Sequence, residues 1–325
     1  MDLFGKKILN QADQPIYARI TAQLKDGVLP EGFSLGEQCE TGFVPGGRDG
    51  VSLYHMAPLQ PDPEREGKIL EAFQLISKEN NASFFGRIMG IFEELDRKDG
   101  IVRLYDEINH TLFVHQQEVN LLHVLNFGDG LITHGISLLA VKLGLTLLAG
   151  FSIPWIGDVH AELGAYEEFT YYAARYLSAG RVEGGNDRLF RLARQLRGWG
   201  RIYAVQFLLP DTREIRDWLL MNGADNDIIP QYSADVCLQK GEAAERLAAG
   251  VTEEEFDAIS SLIAITLESG PRPGLTGADR LLPAYLAAAK GRPLNRELIQ
   301  AVRDYAAREL PDGAAVRAAD ELLQR

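Results

Sequence analysis

Cysteine is scarce in this chain: Cys39 and Cys237 are the only two in 325 residues. They are too few for a disulfide framework and too far apart for the close pairs of a zinc site. Both read as free thiols of a reducing compartment, which points to the cytoplasm. The opening residues, MDLFGKKILNQADQ, have no apolar core run and no small-residue cleavage site, so no secretory signal is expected. Basic charge is also short, with 33 Lys and Arg against 46 Asp and Glu, a formal net charge of −13. A field of that sign repels phosphate backbones and disfavours general nucleic-acid binding.

Long hydrophobic runs are few. Residues 131–155, LITHGISLLAVKLGLTLLAGFSIPW, are long enough to span a bilayer. They carry His134 and Lys142, and a mid-span lysine costs about 2.5–3.5 kcal/mol. We read the stretch as buried helices of a large α-protein, with no membrane partner. Catalytic fingerprints are missing too. The loop VPGGRDG at 44–50 lacks the lysine and hydroxyl of a phosphate-binding loop. Gly128-Asp-Gly130, with Gly135 beyond, has the wrong spacing for a dinucleotide fingerprint. No Gly-x-Ser-x-Gly elbow occurs. No cofactor is expected, and the absence of a specific signature leans away from an enzyme.

What the chain has is helical periodicity. Its 46% hydrophobic and 24% charged residues can build a core and keep the outside wet, which excludes disorder. Ile16, Ile20 and Leu24, after Pro15, predict a short helix stopped at Gly27. Glycine and proline then break the pattern over 28–63, where only VSLYHM at 51–56 looks strand-like or extended. We read this stretch as an arm packed along the helices. Helical patterns follow through Ile69, Phe73 and Ile76, through Phe84 to Leu95, and over 115–127, 130–144 and 161–178, the last with Asp158 as cap.

From Asn186 caps and breaks alternate. Asn186 caps 187–196, and a Gly-Trp-Gly break at 198–200 precedes 201–208. Asp211 with Glu214 starts the next helix, Thr252 with Glu255 forms a full capping box, Thr276 with Asp279 starts another, and Asn295 opens the helix of Leu298, Val302 and Tyr305. Helix, short break, helix is the grammar of an α-solenoid. The expected fold is all-α: a helical-hairpin stack with a loop-rich N-terminal arm. It divides into the arm at 1–63, a helical region with a His-rich middle at 64–180, and a helical-repeat region at 181–325 that can be continuous with 64–180.

RIYAVQFL (201–208) and DTREIRDWLL (211–220) resemble HEAT-type helices, through Arg201, Ala204 and Leu208, and through Asp211, Arg216 and Leu219. The resemblance covers 186–240 and implies a repeat surface that binds proteins. ELGAYEEFTYYAARYLS through GWGRIYAVQFL also resembles bacterial helical proteins labelled limonene hydroxylase. The residues do not support that label, because neither cysteine sits in a haem-ligand setting and no Rossmann fingerprint occurs.

The leading functional expectation is therefore a protein- or peptide-binding scaffold, its oligomeric state left open. Arg191, Arg194 and Arg201 form a ridge that can accept an anion, and Trp199 beside it can stack on a planar group. Because some HEAT-like proteins are DNA-repair enzymes, this ridge is the entry point for a nucleic-acid alternative. His55 is a further binding candidate, where the arm meets the His-rich middle. The other alternative is a metal-assisted enzyme built at 110–134. There His115 and Glu118 sit three apart on one helix, His123 lies about 80° round, and His134 arrives from the next helix.

Overall fold

The computed structural model describes residues 14–36, 42–268, 274–293, 295–311 and 313–324. Cys39 and the opening 13 residues lie outside them. Among the described residues the fold is all-α, with eighteen α-helices and one 3-10 turn (Asn81–Phe84). The chain divides into two compact units, Met1–Ala204 and Val205–Arg325.

The first unit is organised around α7 (Leu138–Leu148), in which every residue except Leu139 is buried. Against it pack α1 (Ile16–Thr21), α4 (Phe85–Asp99), α5 (Tyr105–Val114), α6 (Leu121–His134) and α9 (Thr170–Ser178). A helix surrounded by helices has no wet face, which is why its sequence is apolar all round. The apolar run at 131–155 is thus three separate pieces. Gly135 ends α6, Ser137 caps α7 by accepting from the Ala140 N–H, and Pro154 opens α8 (Pro154–Gly164). No helix among the described residues is long and apolar enough to cross a membrane.

Several sequence-based boundaries are corrected. Residues 51–55 are helical and only Met56 is extended: α2 runs Gly47–His55 and packs into the unit, with Asp49 and Gly50 buried. The expected single helix over 115–127 is broken at 115–120, because Asn120 caps α6 by accepting from the His123 N–H. Gly135 and Ser137 likewise split the expected helix over 130–144. Residues 161–178 belong to α8 and α9, so Asp158 lies inside a helix and caps nothing. Gly184, in the left-handed region, stands at the start of α10 (Gly185–Gln195) in place of Asn186. The Gly-Trp-Gly tripeptide opens α11 (Gly198–Phe207) rather than separating two helices.

In the second unit the helices pack on sequential neighbours, most closely the last two, and also on alternate ones. One set is α13 (Gln231–Lys240), α15 (Glu253–Leu267) and α17 (Arg296–Glu309), and the other is α14 (Ala243–Ala249), α16 (Ala278–Ala288) and α18 (Ala314–Leu323). Here α12 (Arg213–Asn222) is capped by Thr212 rather than Asp211, and α16 starts after Gly277 rather than Thr276. The Thr252–Glu255 capping box and the Asn295 cap are present as the sequence indicates. Lys240, at the end of α13, donates to the carbonyls of Val205, Gln206 and Leu208 at 2.8–2.9 Å. All three of its N–H donors thus reach the carbonyl end of α11.

Candidate functional site: a two-lobed cleft

In the first unit, α8 and α10 pack side by side. From α8 the residues Asp158, Ala161 and Glu162 face a cleft, and from α10 Arg188, Arg191, Leu192 and Gln195 face it. The spacings i, i+3, i+4 and i+7 place each set on one helical face, so the cleft walls are two opposed stripes. Ala165, one further step along the α8 stripe, continues the wall into a second lobe.

The two lobes, of about 330 and 290 Å³, share Gly27, Leu192 and Gln195. Each is close to the lower bound of ligand-sized pockets, roughly 300 Å³. The first lobe is charged. Arg188 pairs with Asp158 at 2.7 Å, and Glu162 accepts from the Tyr17 hydroxyl at 2.6 Å. The second is mixed: Val28, Pro30, Phe33, Pro45, Tyr166 and Leu196 line it together with Glu31, Glu167 and Arg197. The Phe33 ring meets Tyr166 edge-on, 5.6 Å between centroids. A turn at Asp26-Gly27 closes the outer side. Both residues have positive φ, and Lys25 and Val28 exchange two backbone hydrogen bonds of 2.9 Å across them. Asp-Gly with both φ positive is the tight two-residue turn that such a closure demands.

The inner wall is held by a buried charged cluster. Lys142 Nζ lies 3.0 Å from Asp49 Oδ2 and 2.5 Å from Glu168 Oε1. All three side chains are buried, so none of these charges is solvated by water. Burial opposes the Lys142 charge, but Asp49 and Glu168 more than offset it and raise its pKa above the ordinary lysine range. Tyr172 donates to Asp49 Oδ2 at 3.3 Å. The second Glu168 oxygen accepts from the Gly46 N–H at 2.7 Å, and the Tyr203 hydroxyl donates to the Gly46 carbonyl at 2.6 Å. Both polar groups of Gly46 are therefore tied to the core, and Pro45, one residue earlier, lines the cleft. Only glycine fits here: φ is +73°, and a Cβ would stand 2.8 Å from the Glu167 carbonyl oxygen.

Glu167, next in sequence to Glu168, lines the second lobe. Burial pushes its carboxyl up to about 7, against the opposing pull of the Gly200 and Trp199 N–H groups that its carboxylate accepts from. It thereby caps the first turn of α11. Behind the cleft, His160 is fully buried with its two ring nitrogens 2.8 and 3.2 Å from the Ile156 and Leu145 carbonyls, and its ring stacks on Tyr176. Burial lowers its pKa to about 4, so it is neutral at physiological pH.

No family model, curated protein or solved structure matches the chain.

The residues singled out by sequence fall as follows. Arg191 lines the charged lobe. Arg194 is exposed on α10 with its guanidinium 5.5 Å from the Phe190 ring centroid. Arg201 does not join them on the surface. It is 3% exposed and caps the end of α10, donating to the Leu196 and Arg194 carbonyls at 2.8 and 3.2 Å. Trp199 is 5% exposed and packs with Tyr203 and Tyr54, so no ring face stands open beside the arginines. His55 is the exposed last residue of α2. In the His-rich region His115 does reach Glu118, at 3.2 Å, though from a turn rather than a helix. His123 contacts the Ser77 carbonyl and His134 the Thr133 hydroxyl. Among the described residues no group of three or more His, Cys, Asp or Glu could hold a metal ion.

Lys142, Asp49, Glu168 and the cleft residues other than Arg191 were not legible as a site. Two signals pointed toward them. A lone lysine in an apolar run must find buried carboxylates, and Asp26-Gly27 is a turn dipeptide.

Proposed function

We propose that the chain is a binding protein that holds a short peptide segment of another protein in the cleft between α8 and α10. The observation that carries this reading is the pair of opposed helical stripes joining a lobe walled by charged side chains to one with an aromatic corner at Phe33 and Tyr166. An extended segment can place an apolar side chain beside Tyr166 and Leu196 and a polar one beside Arg191. The ionisable groups behind the wall support a positioning role, since Lys142, Asp49 and Glu168 are spent on one another and on Gly46. The alternate-neighbour packing of α13 to α18 supports reading the second unit as an α-solenoid similar to HEAT repeats. The buried free thiol of Cys237 accords with a cytoplasmic location.

A displayed peptide library selected on the purified protein tests the reading. Gln195 is exposed and borders both lobes, so Gln195→Trp fills the cleft without entering the core. Selected peptides should lose binding to that variant. Peptides that bind it as well as the parent would refute the cleft as the site.

A further inference from the structure

We infer that the cleft prefers a segment carrying a basic side chain beside a bulky apolar one; this rests on the peptide-binding reading above. The argument is charge complementarity. Asp26, Glu31, Asp158 and Glu162 line the two lobes against Arg188, Arg191 and Arg197, while Glu167, its carboxyl pushed up to about 7 by burial, carries only part of a charge at neutral pH. Asp158 is neutralised by Arg188 at 2.7 Å, so that pair offers a ligand little. Asp26 and Glu31 lie on the exposed turn segment that forms the outer rim. Glu162 lines the cleft from α8 and accepts a hydrogen bond from the Tyr17 hydroxyl. Against these stand Arg191 on α10 and Arg197 after it.

The apolar requirement comes from the other lobe. Phe33 and Tyr166 set an aromatic corner there, and Leu192 and Leu196 form its floor. Val28, which lines this lobe, is 43% exposed, and Phe43 and Val44, which precede the lining residue Pro45 in the chain, are 46% and 57% exposed. An apolar rim of this kind gains from being covered. The lobes meet at Leu192 and Gln195, which are three residues apart on α10, so the two preferences fall on neighbouring side chains of one ligand.

The test uses short fluorescein-labelled peptides that alternate leucine with lysine, with glutamine or with glutamate, read by fluorescence anisotropy on the full chain. The lysine peptide should bind about tenfold or more tighter than the glutamate peptide, with glutamine between, and raised salt should narrow the ratio. Asp26→Asn combined with Glu31→Gln, both on the exposed rim, should shrink the ratio of lysine-peptide to glutamate-peptide affinity several-fold, and an unchanged ratio overturns the basic preference. Equal binding of all three peptides, blocked by Gln195→Trp, overturns the basic preference and leaves the cleft reading intact. Tighter binding of the glutamate peptide overturns it as well and points to Arg191. Binding of no peptide, or binding indifferent to Gln195→Trp, overturns the inference together with the cleft reading on which it rests.

Discussion

Replacing Lys142 by methionine removes the cation between Asp49 and Glu168 while keeping most of the side-chain volume. In the parent, Nζ sits 3.0 and 2.5 Å from the two carboxylates, and all three groups are buried. The variant leaves two carboxylates facing each other in the core without a counter-charge. Breaking a buried ion pair in this way costs about 3–5 kcal/mol. For a unit of about 200 residues each kcal/mol moves the thermal midpoint by about 2–4 °C, so Lys142→Met should lower it by roughly 6–20 °C. Circular dichroism melts at neutral pH read this directly. Two further arms separate lost charge pairing from poor packing. Asn at 49 and Gln at 168 in the methionine background remove the stranded charges, keep an acceptor for the Gly46 N–H, and should recover most of the loss. Lowering the pH toward ~4, where carboxylic acids take up protons, should also narrow the gap between the single variant and the parent. A midpoint within about 2 °C of the parent, or a triple variant no better than the single, would show that the cluster does not tie the wall of the cleft to the core.

Three other outcomes follow from the same region. Glu167 titrates near 7 in the fold against 4.5 for an ordinary glutamate, so its contribution to stability is complete below about 4.5 and lost as the pH rises through about 7. Glu167→Gln stays neutral and should be more stable than the parent at pH 8, by at most about 3 kcal/mol in urea unfolding, with the advantage gone near pH 4.5; a less stable variant at pH 8 contradicts this. His160 has the opposite slope. Its pKa falls from 6.5 to about 4, so stability is complete above 6.5 and declines as the pH drops toward 4. Its ring resonances should stay at their neutral positions above about pH 5, and movement near 6.5 would show that the ring is solvated. Gly50→Ala puts a Cβ into the Trp199 ring and should cost about 1–3 kcal/mol, with a shifted tryptophan fluorescence maximum; an unchanged melt would mean that the ring gives way freely.

Periodicity was a sound guide to the class of fold and a poor one to its joints. Ile16, Ile20, Ile69 and Phe73 are all buried where their spacing puts them. The joints failed where an apolar pattern continues across a break. Residues 130–144 stay apolar through Gly135 because both α6 and α7 are buried there, so hydrophobicity does not register the change of direction. Residues 51–56 look extended because VSLYHM alternates, yet 51–55 continue α2, whose Asp49 and Gly50 are buried. Of the site, Arg191 was legible as an exposed base on a helix. Its relation to Asp158 and Glu162, some thirty residues away in the chain, arises only when α8 and α10 lie side by side.

The two sides of the cleft differ in how much freedom binding would remove. Gly46 is held through both its N–H and its carbonyl by side chains rooted in the core, so its amide should exchange with solvent only when the unit opens globally. The opposite rim, at 29–32, hangs from the turn between Lys25 and Val28 and from the buried anchor of Leu35. Its amides should exchange fast in the free protein and slow down when a ligand is bound. The inner wall is then preorganised and adds no ordering cost, while the outer rim sets how much affinity is surrendered to ordering. Shortening or stiffening that rim should change the off-rate while leaving the chemistry of recognition untouched.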